Sequence, residues 1–88
     1  MRKIELKKIS NNDFKFYMDG VELPFGFNSG IVNDLSTFHQ PDICENMCLV
    51  MKHEIASVNE TFQLNISEEE TQEILRLMDA ELREIWIN

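Results

Sequence analysis

The sequence is poor in the residues from which catalytic and metal sites are built. Its 88 residues include only two cysteines, two histidines and three glycines, and they form no glycine-rich phosphate loop and no nucleophile elbow. The spacing of Cys44 and Cys48, with His39 and His53 nearby, does not match the close pairs of a structural zinc site. We therefore expect no catalytic residue, no metal ligand and no cofactor.

Long apolar runs are also lacking. The longest run, from Met47 to Met51, is too short to cross a membrane. The N-terminal segment is charged and alternating, whereas a signal peptide has an apolar centre. These absences predict a cytoplasmic protein that does not associate with membranes, in which both cysteines are reduced thiols.

Basic residues are scarce in the second half of the chain. Up to Gln40, five basic residues balance five acidic ones, whereas three basic and eleven acidic residues follow and carry the whole formal charge of −8. Such a chain lacks the basic face that direct binding to nucleic acid phosphates requires. An acidic surface instead attracts a basic protein surface.

The first third of the sequence alternates between apolar and polar residues, which predicts strands. A three-stranded antiparallel meander is expected, at about residues 2–9, 13–18 and 21–27. Asp19 and Gly20 suit a two-residue hairpin turn. Pro24 cannot donate a backbone hydrogen bond, so the third strand should lie at an edge of the sheet.

The basic residues of the first strand, Arg2, Lys3, Lys7 and Lys8, have three possible roles. They could form a binding strip, protect a sheet edge from aggregation, or supply counter-charge to the acidic half of the chain. The sequence does not choose among these roles.

Helical patterns follow the meander. Helices are predicted at 29–38, capped by Asn28, at 42–59, capped by Asp42, and at 68–87. Residues 47–58 also admit a strand, but their Met, Lys, Glu and Ala content and the absence of Gly and Pro favour a helix. Phe62, Leu64 and Ile66 are compatible with either a short strand or an extended connector. The expected fold is a single α+β domain over 1–88, with the helices packed on the meander.

The C-terminal segment 68–87 has the clearest helical pattern. Ser67 and Glu70 match a capping box at its start. Its apolar residues fall on one arc of the helix and should be buried; they are Ile74, Leu75, Met78, Leu82, Ile85 and Trp86.

A second face of this helix carries an acidic stripe, made of Glu70, Glu73, Glu81 and Glu84 with Leu77 in its middle. The helix dipole favours carboxylates near the start of a helix but disfavours Glu81 and Glu84 near its end. One interpretation is a solvated helix face. The other is a partner-binding surface, in which Leu77 is an apolar anchor within a charged rim.

One pair of segments resembles a known family. The sequence MDGVELPFGFNSGIVNDL from Met18 to Leu35, followed by a mixed helix and then LNISEEETQEIL from Leu64 to Leu75, is similar to the order of strand, helix and serine-capped acidic helix in small phage tail assembly chaperones. The resemblance implies a protein without catalytic residues that coats the tape-measure protein of a phage tail.

The charge distribution leads to a different first hypothesis. It is a non-catalytic protein-binding module, a small acidic phage or mobile-element inhibitor that blocks a basic surface of a nucleic-acid-handling protein. Some anti-CRISPR proteins and nucleic-acid mimics are inhibitors of this kind, similar in their small size and acidic charge. The alternative is a tail assembly chaperone or another assembly adaptor, and a homodimer formed through the edge strand or Leu77 is also open.

Overall fold

A computed structural model describes the backbone of residues 1–30 and 40–87, with side chains for residues 1–30 and 42–84. The chain forms three strands and then two helices: β1 (Ile4–Lys8), β2 (Asp13–Met18), β3 (Val21–Asn28), α1 (Gln40–Phe62) and α2 (Glu68–Ile87). The predicted α+β class is confirmed. The helix predicted at 29–38 lies outside the described residues apart from its start, where the Asn28 side chain accepts a hydrogen bond from the Gly30 N–H.

The sheet is an antiparallel meander in the order β1-β2-β3. Asp19 and Gly20 form the predicted turn, with positive φ angles of 51° and 82°. Because β3 is an outer strand, Pro24 needs no partner for its missing N–H, as predicted. The other outer strand is β1.

Strand register decides which side chains face the helices. Ile4 lies opposite Met18 and Leu6 opposite Phe16, and these pairs point into the core or pack against it. On the other face Lys7 lies over the ring of Tyr17, 4.5 Å from its centroid. The sheet therefore has one apolar face and one polar, aromatic face.

At Gly26 the close approach of β3 to β2 requires glycine. A Cβ atom there would lie 2.2 Å from the carbonyl oxygen of Phe14, a contact that no side chain can make. Next to it, the Phe14 and Phe27 rings stack with their centroids 4.9 Å apart. The glycine thus lets β3 approach β2 closely beside the two stacked rings.

The helical interpretation of 47–58 is confirmed, since these residues lie inside α1. The predicted cap is wrong, because Asp42 lies within the first turn of a helix that already includes Gln40. The helix also continues to Phe62, so the possible strand there is wrong. Gln63 and Asn65 leave the helix with left-handed backbone angles.

The loop between the helices is tied back to α1. The Asn59 side chain accepts a hydrogen bond from the Ile66 N–H (2.8 Å) and donates one to the Ile66 carbonyl (3.0 Å). Cys44, near the start of α1, is close enough to Asp79 and Arg83, near the end of α2, to be affected by their charges. The two helices are therefore antiparallel.

One hydrophobic core joins the sheet and both helices. Its fully buried apolar side chains come from three elements; they are Phe16, Cys44, Ile55, Ile74, Met78 and Leu82. The apolar arc predicted for 68–87 is confirmed at Ile74, Met78 and Leu82, whereas the side chains of residues 85–87 lie outside the described ones. Val50, on α1, is 68% exposed.

Candidate partner-binding site

The start of α2 is fixed to the N-terminus by Arg2 and Glu70. The guanidinium donates hydrogen bonds to both carboxylate oxygens of Glu70, each at 2.9 Å, and its Nη2 also donates to the Asn65 carbonyl at 2.7 Å. Glu70 simultaneously accepts the Ser67 N–H, while its own N–H donates to the Ser67 hydroxyl, as in a capping box. The pairing lowers the pKa of Glu70 far below its ordinary value of 4.5, because Arg2 and the N–H donors stabilise the charged form.

This contact aligns α2 with β1. Arg2, just before β1, meets Glu70 in the first turn of the helix, and Lys8, at the end of β1, shares a groove with Glu84 near the end of the helix. The helix therefore runs beneath the outer strand in the same direction. The space between them is the β1–α2 groove, with a volume of about 540 Å³.

The β1–α2 groove has apolar walls and a predominantly acidic rim. Its apolar lining is shared by β1, β2 and α2; the residues are Ile4, Leu6, Phe14, Leu77 and Ala80. The charged residues lining it are Glu5, Lys8, Glu81 and Glu84. Three carboxylates and one amine thus surround a hydrophobic centre.

The residues of the predicted acidic stripe do not form one continuous surface. Glu70 is 3% exposed and bound by Arg2, so the expectation that it contributes to an exposed stripe does not fit its position. Glu73 forms an ion pair with Arg76. It lines a separate surface depression together with Met1 and does not line the β1–α2 groove. Leu77, Glu81 and Glu84 are the three predicted residues that the fold brings together.

Glu81 and Glu84 differ in their pairing from Glu70, Glu73 and Asp79 of the same helix. Asp79 is paired with Arg83 at 2.7 Å, and Glu73 and Glu70 have arginine partners. Within the part of the chain that the structure describes, neither Glu81 nor Glu84 has an ion-pair partner. Two carboxylates without an ion-pair partner in the described structure thus lie beside an apolar patch.

Six of the nine residues that line the groove, including its whole β1 side, lie outside the predicted acidic stripe. Ile4 and Leu6 could be predicted to face inward from the alternation of β1, and Lys8 to be a charged strand residue. Nothing in the sequence shows that β1 lies beside α2, because that proximity depends on the contact between Arg2 and Glu70, 68 positions apart.

A second apolar depression of about 450 Å³ lies between β3 and α1. Phe25 and Phe27 line it from the sheet, with Met47 and Val50 from the helix. Its one charged lining residue within the described ranges is Glu54. The several carboxylates that line the β1–α2 groove have no counterpart among the described residues of this depression.

The cysteines have the environment of core residues. Cys44 is fully buried and Cys48 half-buried, and burial raises the pKa of both thiols. A raised pKa keeps a thiol protonated and unreactive. Over the residues whose positions are described, no group of three or more His, Cys, Asp and Glu side chains could hold a metal ion, while His39 lies outside them.

Neither α1 nor α2, as far as they are described, is both long and apolar enough to cross a membrane. Comparison of the chain with protein-family models, curated proteins and solved structures gives no match. A function must therefore be argued from the site itself.

Proposed function

We propose that this protein is a non-catalytic binding module that uses the β1–α2 groove to block a basic surface of a partner protein. The observation that carries the proposal is the pair of carboxylates, Glu81 and Glu84, without an ion-pair partner in the described structure beside the half-buried Leu77. A basic partner would neutralise both carboxylates while covering the apolar surface between them.

The positions of these carboxylates support binding over local stability. Both lie in the second half of α2, toward the negative end of the helix dipole, which disfavours them. The carboxylates in the first turn suit the dipole, and Glu70 also anchors the fold through Arg2. Helix stability thus accounts for the first turn and leaves Glu81 and Glu84 unexplained.

The overall charge supports a partner that handles nucleic acid. Residues 40–88 contain eleven acidic and three basic residues, whereas residues 1–30 contain four acidic and five basic ones. A surface that binds nucleic acid phosphates is basic and would attract the acidic helical part of this molecule. The proposed action is that of a small acidic inhibitor, of the kind expected in phages and mobile elements.

Affinity capture from extracts of cells that encode the protein tests this function. The groove variant, Glu81→Lys/Glu84→Lys, is compared with the wild type and with an α1 variant, Glu45→Lys/Glu60→Lys, which makes the same change in net charge at exposed positions away from the groove. We expect the wild type and the α1 variant to retain a basic, nucleic-acid-binding protein that the groove variant loses. Raising the salt concentration should release that protein, because salt screens exposed charges.

Equal capture by all three proteins would contradict the proposal. A tail assembly chaperone would instead retain a long helical protein with little dependence on salt, and would self-associate. The two functions therefore differ in the partner recovered and in its response to salt.

A further inference from the structure

The outer edge of β1 exposes main-chain groups on the side of the groove. On its inner edge, β1 pairs with β2 through an alternating ladder, in which the Ile9 N–H donates to the Asp13 carbonyl and the Asp19 N–H donates to the Lys3 carbonyl. Register and alternation then direct the N–H and C=O groups of Glu5 and Lys7 toward β2. Those of Ile4, Leu6 and Lys8 point to the open side.

The groups on the open side are unpaired within the described ranges. The sheet order places no strand beyond β1, and no hydrogen bond of the described residues uses the main-chain groups of Ile4, Leu6 or Lys8 on that side. The side chains of the same three residues line the β1–α2 groove. One edge thus offers both a ladder of hydrogen bonds and a groove for side chains.

We infer that an extended, positively charged segment of the partner binds along this edge as a fourth strand of the sheet. This inference rests on the proposed function and specifies how the partner is held. Added strands gain affinity from main-chain hydrogen bonds and specificity from alternate side chains that enter pockets. Here alternate residues of the segment face the groove, with an apolar residue over Leu77 and a lysine or arginine beside Glu81 and Glu84.

Charge decides between such a segment and a second copy of this chain. A second β1, paired antiparallel about Leu6, would bring the two grooves face to face. Glu81 and Glu84 of both copies would then share one interface, four carboxylates with two Lys8 amines to offset them. Like charges brought together in an interface cost free energy, so a cationic partner segment fits this edge and a second copy does not.

A synthetic peptide separates backbone pairing from simple charge attraction. The probe is a short capped peptide in which lysine and threonine alternate around a central leucine that shares the lysine face. Two methylated forms are compared with it: one carries N-methyl groups on the lysine and leucine amides, the other on the threonine amides. In an added strand one set of amides faces β1 and the other faces solvent.

We expect one methylated form to lose affinity about tenfold or more, since it loses several main-chain hydrogen bonds to β1. The other form should bind as the parent does. Titration is followed by fluorescence anisotropy, and the groove variant should bind none of the three peptides tightly.

The outcomes distinguish this inference from the function on which it rests. Equal binding of all three peptides, combined with loss of binding in the groove variant, would overturn strand addition and leave charge-based binding in the groove intact. Equal binding of the parent peptide to the wild type and the groove variant would overturn both.

Discussion

Glu70 shows at the scale of one residue how an acidic side chain can serve the fold. Its position suggests an exposed stripe, but its carboxylate caps α2 and receives the guanidinium of Arg2. Arg2 also donates to the carbonyls of Leu64 and Asn65 in the loop before the helix. Of the roles open to the basic residues of the first strand, Arg2 therefore acts as counter-charge to the acidic helix.

Replacing Glu70 with glutamine tests this contact. Glutamine can still complete a capping box but carries no charge for Arg2, so Glu70→Gln should lower the free energy of unfolding by about 2 kcal/mol, a typical loss for hydrogen bonds to charged groups. Urea denaturation measures it. Glu69→Gln, at an exposed position in the same turn, is the matched control and should have a much smaller effect.

The same pair predicts a dependence of stability on pH. Since the folded pKa of Glu70 is lowered from its ordinary value of 4.5, its contribution to stability is complete above that ordinary value. The contribution is lost as pH falls from there through the lowered pKa. The difference in unfolding free energy between the wild type and Glu70→Gln should therefore be constant from about pH 5.5 to 7 and shrink in acid. A difference that stays constant down to pH 3 would contradict this account.

At the scale of the element, α2 has two halves with different roles. Its first turn is stabilised by the capping box and by Arg2. Its second half places Glu81 and Glu84 along the groove without ion-pair partners in the described structure. The position of these carboxylates within the helix therefore predicts what their replacement does to stability.

Charge reversal should lower stability at the start of α2 and should not lower it near the end of α2. Glu81→Lys/Glu84→Lys should leave the melting temperature unchanged or raise it, since the dipole favours cations near the end of a helix by roughly 0.3–1 kcal/mol each. Glu68→Lys/Glu69→Lys, at exposed positions of the first turn, should lower it. Thermal unfolding monitored by circular dichroism measures both. A marked loss of stability in the groove variant would mean that these carboxylates serve the fold.

The elements themselves could be predicted where local chemistry determines them. Residues close together in the sequence determine three of these features: the turn at Asp19-Gly20, the edge position of the strand that contains Pro24, and the capping box of Ser67 and Glu70. The start of α1 could not be predicted, because Asp42 has the chemistry of a cap but follows residues that are already helical at Gln40 and Pro41. Local capping signals identify a helix more reliably than they locate its first residue.

At the scale of the whole molecule, the fold separates the charges unevenly. Residues 1–30 contain five of the eight basic residues, and the two helices contain eleven of the sixteen acidic ones. The β1 side of the β1–α2 groove accordingly has one acidic and one basic residue, whereas the α2 side has two acidic ones. From the sequence, the helix could be recognised as acidic and Leu77, Glu81 and Glu84 as candidates. Their grouping with Ile4, Leu6 and Lys8 depends on long-range packing, which no local pattern encodes.

The most direct measurement is a map of the surface that a captured partner covers. Amide hydrogen exchange of this protein is recorded with and without that partner. We expect protection on binding to concentrate at 4–8 and 77–84, the two sides of the groove. Protection confined to α1 around Leu49 and Val50, which are 55% and 68% exposed, with none along β1 and the second half of α2, would contradict it.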